Sequence, residues 1–332
     1  MRILILGGTA FVGRAITEDA LGTGADITLF GRGKTGSDLF PGLTRLTGDR
    51  DTGDYDSLRG GSWDAVIDVS GYVPRHVGQA MDAIADRAGR YLFISSHAVY
   101  VLDGVPPGST EDTPRRPPRR DTEELTDETY GPAKVACEDD VTARYGERAA
   151  IVRPGKVAGP HDPQRGLTYW VRRAARGGRI AVPGELDQPV QIVDSRDLAR
   201  LVVRLITDER SGAFHAVGPA EPVTLGGLIE TCARVAGTEA ELVQVPPELA
   251  PPMFPLVRPS HWTAQQRSPA KARAAGMPAT PLEVTVADVL AWDRARGDLP
   301  VEGGFTPEQE NALLAAQMKE TARRPQGTRT HD

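Results

Sequence analysis

Over the first half of the chain, short and nearly continuous apolar runs alternate with stretches in which apolar residues recur every three or four positions. The runs Arg2–Leu6, Asp26–Phe30, Leu43–Thr47, Ala65–Val69, Tyr91–Ser95 and Ala149–Arg153 predict strands, and the periodic stretches Phe11–Leu21, Pro74–Ala88 and Pro132–Tyr145 predict helices. Several of the strands lack polar alternation, as expected of a parallel sheet covered on both faces. Strand and helix alternation from residue 2 onward therefore predicts an α/β class, a doubly wound parallel sheet of the Rossmann type.

The second half is less regular. Helical patterns cover Thr168–Arg176 and Asp194–Asp208, and Ala213–Val217 predicts a strand that returns to the main sheet. Thr224 caps a helix to Ala236, and Ser268-Pro269 and Thr306-Pro307 repeat the cap-then-proline signature of helix starts. Pro246–Pro259 carries six prolines and is expected as a surface loop over a smaller lobe. The expected organisation is a Rossmann-type domain over 1–158, completed by about 190–218, and a C-terminal substrate-binding lobe from 159–189 and 219–300. A C-terminal helix and a disordered tail fill 301–332, the tail Arg323–Asp332 having no apolar residues. The Pro- and charge-rich segment Asp103–Thr129 is long for a loop and reads as a lid or as a solvated excursion.

Composition narrows the function. The 332 residues are 39% hydrophobic and 25% charged, as in a globular protein, and no apolar run nears the roughly 20 residues of a membrane helix. Bases number 39 and acids 45, a net charge of −6 that disfavours nucleic acid as a partner. With only Cys137 and Cys232, no disulfide framework or cysteine metal cluster is expected, and a reducing, cytoplasmic setting is the default. The six histidines show no metal-ligand spacing, so no metal is expected. Only five of the bases are lysines, so a lysine kept within a motif is informative.

Three signals carry chemistry. The first is Gly7-Gly8-Thr9-Ala10-Phe11-Val12-Gly13 between a strand and a helix. Gly7 permits a tight turn, Gly13 lets the helix pack on the strand, and the helix N-terminus offers amides and a positive dipole end to a pyrophosphate. A structural turn is the alternative, and Ala10 replaces the usual central glycine. After the second strand, Gly31-Arg32-Gly33-Lys34 offers no acid for a ribose 2′-hydroxyl. Arg32 and Lys34 suit a 2′-phosphate instead, or are exposed loop cations, so NADP is expected with NAD as the alternative. Asp49 is placed to accept from an adenine amino group. The second signal is Tyr130 and Lys134, four apart on one helix face, where an ammonium would lower the phenol pKa and make it a general acid/base. The third is Ser96 at a strand's C-terminal end, where α/β ligand sites lie.

Together with Ser95-Ser96-His97-Ala98-Val99-Tyr100, Arg153-Pro154-Gly155-Lys156-Val157-Ala158-Gly159-Pro160 and Gln191–Ala199, these motifs resemble the extended short-chain dehydrogenase/reductase superfamily, in its NAD(P)-dependent epimerase/dehydratase branch, over roughly residues 1–220. The resemblance implies a catalytic triad of Ser96, Tyr130 and Lys134, with Lys134 also holding the ribose. It implies that Val69, Ser70 and Gly71 lie along the cofactor and Pro154–Val157 near the nicotinamide. Lys156 would line the substrate pocket, with Tyr72, His97 and His161 as further candidates or merely structural residues.

Departures from the branch matter. Sugar-nucleotide members carry a diphosphate-binding arginine where this chain has Val190, and sugar 4,6-dehydratases follow the catalytic hydroxyl with Asp-Glu where this chain has His97-Ala98. The expected function is an NADP(H)-dependent oxidoreductase acting on a carbonyl or alcohol of a small molecule. An epimerase or dehydratase with recycled NAD(P) and a non-catalytic NADPH-sensing module are the alternatives. Substrate identity stays open, as does the oligomeric state, homodimers being common in the superfamily.

Overall fold

A computed structural model describes residues 1–219, 221–258, 260–297, 299 and 303–323. Most of the tail expected to be disordered lies outside the described residues. Along the chain the elements are β1 (Arg2–Leu6), α1 (Phe11–Leu21), β2 (Asp26–Gly31), β3 (Thr44–Thr47), β4 (Trp63–Asp68), α2 (Pro74–Ile84), β5 (Ala88–Ile94), α3 (Tyr130–Tyr145), β6 (Ala149–Pro154) and β7 (Lys156–Ala158). There follow α4 (Gly166–Ala174), β8 (Gly178–Val182), β9 (Pro189–Val190), β10 (Ile192–Asp194), α5 (Ser195–Thr207), β11 (Gly212–Ala216), β12 (Val223–Thr224), α6 (Leu225–Ala236), β13 (Ala240–Gln244), α7 (Ala270–Ala274), α8 (Leu282–Ala295) and α9 (Pro307–Arg323).

The chain divides into two compact units. Met1–Pro163, Gln191–Pro222 and Thr263–Pro281 form the first. Its seven parallel strands run in the order β11-β6-β5-β4-β1-β2-β3, a doubly wound sheet. In β1, Ile3 and Ile5 face a core shared with Ile16, Ala20, Leu198 and Leu201 of α1 and α5. Leu4 and Leu6 face the opposite core, with Val77, Ile84, Cys137 and Val141 of α2 and α3. That two-residue alternation between two apolar layers is why β1 reads as an unbroken apolar run. Strand order reverses between β1 and β4, so the crevice at their C-terminal ends is the topological switch point.

Several boundaries differ from the sequence expectation. Helix α2 stops at Ile84 because Ala85 adopts φ 52°, and β5 starts at Ala88, where the helix was expected to end. Residues 159–163, 219, 221–222 and 263–281, expected in the smaller lobe, pack in the first unit. There the amide of Thr280 and its hydroxyl both donate to the Asp197 carboxylate, at 2.9 and 2.7 Å.

The segment expected as a lid or solvated excursion is mostly exposed, and its arginines strap it to its own unit. Arg115 donates to Glu138 at 3.0 Å and to Asp139 at 2.9 Å, and Arg120 donates to Asp140 at 2.7 and 2.8 Å. Arg116 reaches the carbonyls of Asp127 and Glu128, and Arg119 pairs with Asp121. Three successive acids on α3 thus absorb two of the four arginines.

The second unit comprises Gln164–Val190, Val223–Trp262 and Leu282–Asp332. Here β8 and β13 pair in parallel, and β9 and β12 antiparallel. Its core includes the rings of Tyr169, Trp170, Phe254 and Phe305, with the Trp170 indole donating to the Pro255 carbonyl at 2.8 Å. The proline-rich stretch therefore contributes a buried ring as well as loop. Val190, where sugar-nucleotide relatives were expected to carry an arginine, is buried opposite Val223.

Beneath the C-terminal edge of the first unit's sheet lies a polar chain. Arg153 donates to the Tyr100 hydroxyl at 2.6 Å, so the Tyr100 proton is directed to His215 Nε2, also at 2.6 Å. His215 is then a neutral imidazole whose Nδ1–H donates to the Ser268 carbonyl at 3.2 Å. Burial pulls its pKa down to about 4, against the partial support of Glu111. Unfolded chain takes up this proton near 6.5 and the fold resists it down to about 4, so acid favours unfolding. We expect about 3 kcal/mol of stability to disappear as pH falls through that window. Urea unfolding of His215→Gln alongside the wild type checks this: the variant should lose that part of the pH slope.

Candidate active site

β1 runs into Gly7, whose φ of +91° lets the chain turn toward α1. The Gly7 amide donates to the Phe30 carbonyl at 3.0 Å, and a Cβ there would lie 2.8 Å from the Ser70 side chain. The turns after β1 and β4 therefore rest on one another at the switch point. A Cβ at Gly13 would strike the Gly7 carbonyl oxygen, so only glycine lets the first turn of α1 settle there. The Thr17 hydroxyl lies 2.9 Å from the carbonyls of both Gly8 and Gly13 and locks the arrangement. Ala10 is the α1 N-cap and supplies no side-chain cap. The first-turn amides, flanked by exposed Ala10 and half-buried Thr9, Phe11 and Val12, are left to an anion. This cradle fits a pyrophosphate.

At the end of β2, Arg32 and Lys34 are exposed, as expected from their loop. Sequence reasoning missed an acid there. The loop after β3 brings the Asp51 carboxylate to 3.5 Å from Arg32 Nη1. Asp49 is engaged within the same loop: its Oδ1 accepts the Asp51 amide at 3.1 Å, and its main chain pairs both ways with Asp54.

Val69, Ser70 and Gly71 follow β4 and are held from below. Val69 N–H and Ser70 Oγ both donate to the Leu6 carbonyl, at 3.0 and 3.2 Å. Asp68, fully buried, accepts from the Ser70 amide at 3.2 Å, from Arg50 at 2.7 Å and from the Tyr91 hydroxyl at 2.7 Å. Burial opposes the Arg50 charge, and the Asp68 carboxylate more than offsets it, raising its pKa. Burial, then Asp68, pushes Tyr91 well above the ordinary phenol range. Gly71 is packed so tightly that a Cβ would lie 2.6 Å from Val77 and 2.9 Å from Phe93.

Ser96, Tyr130 and Lys134 lie together at the C-terminal ends of the strands. Ser96 caps the 3₁₀ turn His97–Val99, its Oγ accepting the Ala98 amide at 3.1 Å. Tyr130 is the first residue of α3. Gly131, which sequence reasoning passed over, allows the approach, since a Cβ there would strike the Ala98 carbonyl. Lys134 is 2% exposed and donates to the carbonyls of Gly71 at 2.6 Å and Ile94 at 2.9 Å. It thereby ties the ends of β4 and β5 to α3. Burial lowers its pKa.

One expectation is corrected. Tyr130 does not have its pKa lowered by Lys134: burial raises it, a hydrogen bond from Ser96 draws it back, and Cys137 adds to the rise. The Lys134 ammonium sits 6.0 Å from the Tyr130 ring centroid and spends its donors on main-chain carbonyls. At neutral pH the phenol is protonated, ready as an acid.

The remaining candidates scatter around this patch. Pro154 ends β6 and is buried, while Lys156 and Val157 begin β7, paired with Ile192 and Val193 of β10. Tyr72 is half-exposed with its ring centroid 5.1 Å from Lys134 Nζ. His97 begins the 3₁₀ turn and is half-buried. His161 lies instead beside α1, where burial and Arg14 lower its pKa. Among the described residues no group of three His, Cys, Asp or Glu could hold a metal.

A sequence profile described as the NAD dependent epimerase/dehydratase family matches residues 3–217. The chloroplast stem-loop binding protein of 41 kDa b from Arabidopsis thaliana is 26% identical over 266 residues, covering 74% of this chain and 66% of that protein. Among solved structures, UDP-glucuronic acid 4-epimerase from Bacillus cereus in complex with NAD has a TM-score of 0.67 at 15% identity, over 91% of this chain and 100% of that one. The Bordetella bronchiseptica enzyme WbmH in complex with NAD⁺ has a TM-score of 0.67 at 21% identity, over 89% and 99%. These structural likenesses share the fold.

Because Gly13 has no room for a methyl group, Gly13→Ala should cost about 1–3 kcal/mol through overpacking and abolish dinucleotide binding. Thermal denaturation and a fluorescence titration with reduced nicotinamide dinucleotide check both. Undiminished binding in a folded variant would show that the Gly7 turn yields freely.

Proposed function

The chain belongs to the NAD dependent epimerase/dehydratase family, and from that premise we propose an NADP(H)-linked hydride transfer between cofactor and a carbonyl or alcohol carbon of a small molecule. The observation that carries this reading is the convergence of Ser96, Tyr130 and Lys134 beside the switch-point cradle. The cofactor supplies a carbon that gives or accepts hydride. Tyr130 hands its phenolic proton to the oxygen of the carbon being reduced, and takes it back in the reverse direction. Ser96, whose Oγ already accepts the Ala98 amide, turns its one proton from the phenol to that oxygen when substrate is bound. Lys134 uses two of its three N–H groups on Gly71 and Ile94, which leaves one for a ribose hydroxyl.

Tyr130→Phe should lower turnover about 10²–10⁴-fold, the usual worth of a positioned acid/base, while dinucleotide affinity stays near wild type. Because the phenol pKa is raised, the oxidative direction should speed up with rising pH as Tyr130 ionises, and the reductive direction should slow. Steady-state rates in both directions read this, and undiminished turnover of Tyr130→Phe ends the assignment.

Cofactor choice rests on Arg32 and Lys34. Asp51 competes for Arg32, so the preference for NADPH over NADH is placed at about tenfold, roughly 1.4 kcal/mol. Arg32→Ala should weaken NADPH and spare NADH, whereas Asp51→Asn should strengthen NADPH. Equal affinity of the wild type for both cofactors would make the two cations ordinary loop charges and return NAD to first place.

A second reading, favoured by the family itself, is an epimerase or dehydratase that retains and recycles its cofactor. It predicts protein purified with bound nicotinamide and turnover without net change in reduced-nicotinamide absorbance. We propose no nucleic-acid role, although a 26%-identical relative is named for stem-loop binding. The strap arginines face their own carboxylates and carbonyls, and the chain carries a net −6. A small-molecule substrate and a reducing compartment complete the proposal, the latter resting on two buried free thiols, Cys137 and Cys232.

A further inference from the structure

The separation of the Tyr130 phenol from the Ser96 hydroxyl depends on where α3 sits relative to the segment 96–100. Beside the packing of Val99 and Tyr100 on Val135, two contacts bear on that placement. One is the contact of Gly131 with the Ala98 carbonyl, already described. The other is a single guanidinium. Arg153, at the end of β6, forks onto the Glu138 carboxylate with Nε at 2.9 Å and Nη2 at 2.7 Å. Its remaining nitrogen, Nη1, donates to the Tyr100 hydroxyl at 2.6 Å and to the Glu111 carbonyl at 3.0 Å. Glu138 is 1% exposed and lies on α3 one turn past Lys134 and two turns past Tyr130. Tyr100 is fully buried, four residues past Ser96.

We propose that Arg153 is a positioning residue: by gripping Glu138 on α3 and Tyr100 beyond Ser96 with one planar fork, it sets the Tyr130 phenol against the Ser96 hydroxyl. This rests on the reading of Tyr130 as the acid/base. Arginine suits the task because its donors are fixed in one plane, so two partners held by it are held relative to each other. A lysine ammonium could neutralise Glu138 without imposing that geometry.

The charged and titratable groups around the link are known. Arg115 donates to Glu138 Oε2, the oxygen that Arg153 Nη2 also reaches, and Asp139 takes the other half of Arg115. Beyond Tyr100 stand His215 and Glu111, whose carboxylate accepts the His215 amide at 2.7 Å. Arg267 stacks on the Tyr100 ring with its centre 4.3 Å from the centroid. Around the phenol itself are Lys134 and Cys137 besides Ser96.

The test uses the full chain with tyrosine labelled at 13Cζ, so that ionisation of Tyr130 is followed directly, alongside turnover and NADPH affinity. Drawing the Ser96 hydroxyl away from the phenol should raise the Tyr130 pKa, because that hydroxyl holds it down. Arg153→Lys and Tyr100→Phe should each raise it by about half to one pH unit, as should Ser96→Ala, with NADPH affinity unchanged. Tyr100→Phe leaves the Arg153–Glu138 fork in place and reads the link even where Arg153→Lys fails to fold. In a Ser96→Ala background, Tyr100→Phe should add nothing, since the bond it disturbs is already gone.

A folded Tyr100→Phe variant that titrates like the wild type overturns the proposal. So does a shift that adds in full to that of Ser96→Ala, because the link then acts elsewhere than through Ser96. If the titrations behave as expected but Tyr130→Phe retains turnover, the positioning stands and the acid/base reading falls.

Discussion

A carbonyl oxygen with no space above it is the constraint around which the dinucleotide-binding half is arranged. The Gly7 oxygen occupies the place that any side chain at residue 13 would need, and the Ser70 side chain occupies the place above residue 7. Helix α1, the turn after β1 and the turn after β4 are therefore pressed together at main-chain distance. An anion arriving at the uncapped start of α1 meets amides with no side chain between. The crevice is built by omission: its shape comes from positions where the chain carries nothing beyond Cα.

On either side of that crevice, a buried carboxylate does the fixing. Asp68 gathers Arg50, Tyr91 and the Ser70 amide beneath the floor, and Glu138 gathers Arg153 and Arg115 behind α3. Buried ion pairs are poor sources of net stability, since desolvation consumes most of the attraction, but removing one partner typically costs about 3–5 kcal/mol. Their value here is geometric. Each carboxylate accepts from at least two segments distant in sequence and so fixes a floor or a helix relative to the strand ends. The site can then keep a raised phenol pKa and an ammonium buried among carbonyls without the surroundings relaxing to relieve them.

The fold was legible because β1 and α1 display their periods without interference: Ile3 to Leu6 have apolar layers on both sides, and Gly7 and Gly13 leave a readable gap. The Tyr130 to Lys134 spacing was legible for the same reason, being local. What escaped was nonlocal. Asp51 meets Arg32 only after β3 folds back, and nothing in the residues near 32 announces it. The direction of the Tyr130 shift depended on the depth of burial and on where the Lys134 donors go, and both are set by β4 and β5. Glu138, Asp139 and Asp140 drew no attention in the helical pattern of Pro132–Tyr145. Their real partners, Arg115 and Arg120, lie 20 to 24 residues away in a segment whose prolines and charges suggested an excursion. The end of α2 was missed because a backbone angle at Ala85, an alanine in a good helical pattern, stops it.

The strap has a kinetic side. Its contacts with α3, and the α3 contact with β6, close loops of only 15 to 24 residues, whereas His215 joins Glu111 and Tyr100 across 104 and 115 residues. Loop closure is cheaper over the shorter spans, and structures rich in near-neighbour contacts assemble faster. The stretch from β5 through the strap and α3 to β6 can therefore condense as one early, mostly local piece, with Glu138 already neutralised inside it. Strand β11 is then expected to reach the sheet edge later, bringing His215 to the hydroxyl that Arg153 orients. On these spans helix α3 is expected to acquire its bearings before the sheet that carries it is complete.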